Sequence, residues 1–121
     1  MKRVLIVEDQ ADIRELISLT LELEDYELHE ADNGDAGYAL AKSLKPDLIL
    51  LDVMMPGSMD GIEVCKRLKG DPAHSKTRII ILSAKGQDHD KQQGKQAGAD
   101  GYLTKPFSPK QLLEAVNKFL A

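Results

Sequence analysis

Three uninterrupted aliphatic runs, Val4–Val7, Leu48–Leu51 and Ile79–Leu82, constrain what this chain can fold into more than any other feature. A strand with one wet face alternates apolar and polar residues, whereas an unbroken run suits a sheet covered on both sides, the setting of central parallel strands. The segments Tyr26–Ala31 and Gly101–Thr104 complete an expected set of five strands. Helical spacing fills the gaps. Ile13, Leu16, Ile17, Thr20 and Leu21 form one apolar stripe, and Ala36, Ala39, Leu40, Ser43 and Leu44 a second. Gly61, Val64, Cys65 and Leu68 mark a third helix, and Leu112, Val116, Phe119 and Leu120 a last one. Ser108, Pro109 and Gln111 give that last helix a capping residue, a proline at its first position and a side chain able to reach back. The remaining slot, Asp88–Ala97, has almost no apolar stripe and carries Gly94, which costs about 1 kcal/mol against alanine in a helix interior. It is expected to be the least stable helix.

Strands alternating with helices imply a doubly wound α/β sheet with right-handed crossovers. At 121 residues the expectation is one domain over residues 1–121, a flavodoxin-like (βα)5 fold with a five-stranded parallel sheet in the order 2-1-3-4-5. In that order a crevice opens beyond the carboxyl ends of the first and third strands, where the winding reverses.

Composition narrows the function. Hydrophobic residues at 42% and charged residues at 30% exclude a disordered or membrane-spanning chain, and a cytoplasmic location is expected. Residues 1–60 hold 5 basic and 14 acidic side chains, residues 61–121 hold 11 and 6. An acidic chain without a basic-aromatic cluster is poorly suited to phosphate backbones, so no direct contact with nucleic acid is expected. Cys65 stands alone and reads as a packing residue. His29, His74 and His89 lack ligand spacing, and surface placement is expected for them.

Each aliphatic run leads into polar residues: Glu8 and Asp9, Asp52, Ser83, and after Thr104, Lys105. The fold would bring these groups to one rim. Three carboxylates there either raise one another's pKa or recruit a cation, and a hard divalent ion such as Mg²⁺, held by one or two carboxylates plus phosphate, fits best. Lys105 and Ser83 supply a point charge and a hydroxyl donor for phosphoryl oxygens, leaving Asp52 as nucleophile. Taken singly, each residue has a plainer reading as a helix cap, a satisfied hydroxyl or a surface charge; their convergence is the argument.

Glu8-Asp9, Asp52 in Leu-Leu-Asp-Val-Met-Met-Pro, Ser83-Ala84 and Lys105-Pro106-Phe107 together resemble the motif set of response-regulator receiver domains, over nearly the whole chain. The resemblance implies a two-component signalling domain rather than a turnover enzyme, phosphorylated on Asp52 and promoting its own phosphorylation and dephosphorylation. It implies Mg²⁺ bound by Asp9, Asp52 and the Met54 carbonyl with Glu8 assisting, and Ser83 and Lys105 on the phosphoryl group. It further implies Ser83 and Tyr102 as switch residues, a coupled surface that includes Asp88–Ala97, and a cis Lys105–Pro106 bond. The implied partners are a histidine kinase or histidine phosphotransfer protein and a downstream effector or output domain, with a phosphorylation-linked dimer as a further possibility.

Two departures stand out. Met55-Pro56-Gly57-Ser58-Met59-Asp60-Gly61 is one residue longer than the family's usual Met-Pro-x-Met-Asp-Gly. By the same resemblance, Met54 and Lys85, two residues after Asp52 and Ser83, would flank the path of hydrolytic water, where a thioether cannot orient water as an amide would. Among other classes, a dinucleotide enzyme is excluded because Glu-Asp-Gln-Ala-Asp, without Gly-x-Gly-x-x-Gly, follows the first strand. A haloacid-dehalogenase-like phosphatase would require a second aspartate where Met54 stands. A receiver-like binding module that signals without phosphorylation is the alternative, and the intact acidic pair with Asp52, Ser83 and Lys105 argues against it.

Overall fold

The computed structural model describes residues 1–55, 57–84 and 88–120, so Pro56 and Lys85 lie outside the described residues. Five parallel strands, β1 (Lys2–Val7), β2 (Tyr26–Ala31), β3 (Leu48–Asp52), β4 (Arg78–Ala84) and β5 (Gly101–Lys105), form one sheet in the order β2-β1-β3-β4-β5. The helices are α1 (Ala11–Glu22), α2 (Gly34–Leu44), α3 (Gly61–Lys69), α4 (Asp88–Gln96) and α5 (Pro109–Leu120). This is the doubly wound arrangement expected from the aliphatic runs.

Strand side chains alternate between two faces, and both faces are dry. Leu5, Val7, Ile49, Leu51, Ile79 and Ile81 belong to one core with Ala41, Val64, Cys65 and Leu68 of α2 and α3. Val4, Ile6, Leu48, Leu50, Ile80 and Leu82 belong to the other, with Ile17 and Leu21 of α1 and Leu112 and Val116 of α5. Local chemistry fixes where the helices begin. Asn33 accepts from the Ala36 amide at 2.8 Å and Asp60 from the Glu63 amide at 2.9 Å, capping α2 and α3. Ser108 and Gln111 bond reciprocally at 3.1 and 2.9 Å, so the box read from the sequence starts α5.

His74 departs from the surface placement expected of it. A short 3-10 turn, Pro72–His74, capped by Asp71 through the Ala73 amide at 3.0 Å, folds its ring inward to 4% exposure. Spacing could not show this, because the burial comes from how the turn packs and not from a local period.

Helix α4 buries only Asp90 and Gly94. The glycine has a packing reason the sequence did not reveal: a Cβ there would lie 3.1 Å from Tyr102 Cε1 and 3.2 Å from Ile81 Cγ1, so its absence lets the helix sit against the tyrosine ring. With so little apolar anchorage, α4 amides are expected to exchange with solvent at least about tenfold faster than those of α2 in the resting protein, and to change protection on activation. Residue-resolved hydrogen exchange reads this directly; protection in α4 equal to that of α2 in both states would sink it.

Candidate functional site

The register aligns the strand ends that carry the polar groups. Asp52, the last residue of β3, pairs with Leu82, and Ser83 and Ala84 of β4 pair with Thr104 and Lys105 of β5. Asp52 and Lys105 therefore lie on the final rungs of the sheet, one step earlier than the aliphatic runs alone placed them. Glu8 follows β1 immediately, and its amide still bonds the Ala31 carbonyl at 3.0 Å, holding it to the sheet edge. Asp9 lies just beyond, exposed.

Glu8, Asp9 and Asp52 each offer a carboxylate oxygen within 4.8 Å of the others. Glu8 is fully buried and Asp52 is 4% exposed, so two of the three have given up most of their hydration. Lys105 Nζ lies 2.6 Å from Glu8 Oε1 and 3.3 Å from Asp52 Oδ1. The shorter contact is a charge pair rather than an aligned hydrogen bond, since Glu8 Oε1 has no hydrogen-bond partner among the described residues. One ammonium faces three carboxylates, leaving an excess of negative charge. Burial above all, then the neighbouring Glu8 carboxyl, pushes the Asp52 carboxyl up to about 8, with Lys105 pulling the other way. Hard oxygen donors in negative excess fit a divalent cation of the Mg²⁺ kind.

Asp9, Asp52 and Lys105 open into a cavity of about 240 Å³ whose wall also includes Met54, Ser83 and Asp90, with Glu8 buried behind it. The Ser83 hydroxyl is buried and has no hydrogen-bond partner among the described residues, an orphan donor in that wall. Met54, which contributes to the cavity wall, is 74% exposed. Tyr102 does not line the cavity. It packs with Ile81 and Gly94, its hydroxyl is buried without a partner among the described residues, and burial raises its pKa. Lys105–Pro106 is cis. The lengthened loop is tied to α2 by Asp35, which accepts from Ser58 Oγ at 2.6 Å and from the Ser58 amide at 3.2 Å.

Sequence reasoning missed Asp90. It comes from the first turn of α4, is 8% exposed and lines the same cavity as Asp52. The acidity of that turn was visible, but without an apolar stripe nothing told which of Asp88 and Asp90 points inward.

The fold and site define a doubly wound α/β protein whose strand switch point gathers carboxylates, a lysine and a free hydroxyl around one small cavity. The chain belongs to the response regulator receiver domain family, whose model matches residues 4–117. It is 48% identical over 119 residues to the phosphate regulon transcriptional regulatory protein PhoB of Pseudomonas aeruginosa, covering 98% of this chain and 52% of that protein. It is 46% identical over 118 residues to the transcriptional regulatory protein ResD of Bacillus subtilis, covering 98% and 48%. The chain thus spans about half the length of these relatives. The solved structure of the chemotaxis response regulator CheY4 of Vibrio cholerae superposes with a TM-score of 0.90 at 36% identity, covering 98% of both chains. The chain is therefore a signalling domain of the two-component type, and receiver domains in general bind Mg²⁺. No described helix is long and apolar enough to cross a membrane.

Proposed function

We propose that this chain, residues 1–121, is a phosphoryl-accepting switch in which Asp52 is the nucleophile. The observation that carries this reading is the gathering of Asp52, Asp9, Lys105 and the orphan Ser83 hydroxyl around one cavity, with Glu8 buried against Asp52 and Lys105. An Asp52 carboxylate oxygen forms a bond to phosphorus as the bond to the donor's leaving group breaks, the electron pair departing with that group. The ionised carboxylate is the reactive form, so the nearby Lys105 ammonium favours both nucleophile and transferred charge. The Ser83 hydroxyl donates to a phosphoryl oxygen. Asp9, Asp52 and the Met54 carbonyl, with Glu8 assisting, would hold Mg²⁺, which supplies charge neutralisation to the transferring phosphoryl. Water later cleaves the aspartyl phosphate and resets the switch, with Met54 beside the cavity unable to orient that water as an amide would.

Tyr102, beside Ile81 and on the same strand face as the Ser83–Thr104 pair, is positioned to feel movement of the serine hydroxyl and pass it to α4. A histidine kinase or histidine phosphotransfer protein is the proposed donor. A downstream effector or an output domain is the proposed receiver of the signal, in the cytoplasm, with dimerisation on phosphorylation as one form of readout.

The test is intact mass after incubation with acetyl phosphate and Mg²⁺. One labile phosphoryl is expected, lost with chelator and with Asp52→Asn. No gain, with a known receiver reacting alongside, would overturn the reading.

A further inference from the structure

The geometry points to Arg14 as a positioning residue for the acidic pair Glu8–Asp9, holding the peptide on which both carboxylates are mounted. This rests on the reading of that pair as cation ligands. Strand β1 ends at Val7, and although the Glu8 amide still bonds Ala31, the Glu8 carbonyl lies past the ladder and must find its partner elsewhere. Arg14, in the second turn of α1, provides it: one guanidinium nitrogen donates to the Glu8 carbonyl at 2.8 Å, while Nε lies 3.3 Å from Glu30 Oε1 on β2. The Arg14 side chain is only 22% exposed, so this fork is largely covered rather than waving in solvent.

Every polar handle of Glu8 is thereby fixed from a different direction. Its Oε2 accepts from the Gln10 amide at 3.1 Å, its Oε1 lies beside Lys105, and its carbonyl is tied to α1 and through Arg14 to β2. The first two contacts involve the carboxylate that bound cation would compete for. The third does not, so, alongside the bond of the Glu8 amide to Ala31, it can hold the β1–α1 connection unchanged whether the cation is present or absent. A planar fork can span carbonyl and carboxylate at once, which a single ammonium cannot. Groups one step removed from a metal's ligands commonly change metal affinity by about 10-fold to 100-fold when lost.

The test is calorimetric titration of the whole chain with MgCl₂, alongside hydrogen exchange of the Gln10 amide and phosphorylation from acetyl phosphate across a Mg²⁺ series. In Arg14→Met, Mg²⁺ affinity is expected to fall about tenfold and Gln10 exchange to quicken, while the phosphorylation rate at saturating Mg²⁺ stays within about twofold. Glu30→Gln, which removes the ion pair but spares the bond to the Glu8 carbonyl, is expected to bind Mg²⁺ within about twofold of wild type. Unchanged affinity in Arg14→Met overturns the assignment, as does an equal loss in Glu30→Gln, which would make the surface charge pair the cause. Should Arg14→Met not fold, Arg14→Ala, which also removes the donor to the Glu8 carbonyl, carries the same test, and wild-type affinity in it overturns the assignment. Absence of Mg²⁺ binding by the wild-type chain would instead remove the cation reading itself, and this assignment with it.

Discussion

In the presence of chelator, Asp52→Asn is expected to be more stable to heat than the wild-type chain, with the gap widening between about pH 4 and about pH 8. The Asp52 carboxyl is raised from its ordinary 3.8 to about 8, by burial first and by Glu8 second. Below 3.8 both folded and unfolded chains carry the proton, and the group contributes nothing to the pH dependence. Between the two values the folded chain keeps a proton the unfolded chain has released, so stability falls as pH rises, by up to about 1.4 kcal/mol per pH unit. Above about 8 the penalty is complete and flat. Asparagine cannot ionise and escapes it. With the attraction of Lys105 lost as well, the expected net gain near neutral pH is on the order of 2 kcal/mol. Saturating Mg²⁺ should close the gap or reverse it, because only the wild-type chain has the full carboxylate set to bind the ion and gain by mass action. Thermal unfolding across pH, with and without Mg²⁺, checks both halves. A variant less stable than wild type in chelator throughout that range would mean that attraction to Lys105 outweighs burial and repulsion. The same variant is expected to take no phosphoryl group, and a gain in stability with a loss of function would mark Asp52 as a residue kept at a structural cost.

What could be read from the sequence and what could not divides along physical lines. Val4–Val7, Leu48–Leu51 and Ile79–Leu82 are fully buried because central parallel strands are dry on both faces, and that condition writes itself into composition. The edge strands β2 and β5 are only partly covered, and their weaker patterns reflect it. The rim residues were legible because strand ends in this topology share one side of the sheet, so chain order alone placed Asp52, Ser83 and Lys105 together. Contacts that depend on an approach from far along the chain left no such trace. His74 is buried in a short turn that no local period encodes, and Asp90 is turned into the cavity by a helix without a stripe. Gly94 read as a local cost, when its purpose is to clear space for Tyr102. Arg14 lies outside the apolar stripe read for α1 and drew no role from the sequence, and only the end of the β1 ladder shows what it holds.

Replacing Lys105 with methionine is expected to separate cation binding from phosphoryl transfer, strengthening the first and slowing the second. In the resting site the ammonium is the counter-charge of Glu8 and Asp52, at 2.6 and 3.3 Å. Any divalent ion must share those carboxylates with it, so removing the ammonium relieves repulsion toward the ion and leaves more negative charge to attract it. Metal-free Lys105→Met should accordingly be destabilised, by about 3 kcal/mol, since two buried carboxyls lose their partner; proton uptake by Asp52 softens the loss. Mg²⁺ should then raise its unfolding temperature more than it raises that of wild type, a direct sign of tighter binding. Transfer follows the opposite course. A charge placed at the transferred phosphoryl stabilises the transition state, and its removal costs on the order of 100-fold in rate even with Mg²⁺ saturating. The two readouts are calorimetric Mg²⁺ affinity and the rate of acetyl phosphate labelling of Asp52 at saturating Mg²⁺. Weaker Mg²⁺ binding in the variant would show that the ammonium orders the carboxylates more than it competes for them, and an unchanged labelling rate would remove Lys105 from the transfer step altogether.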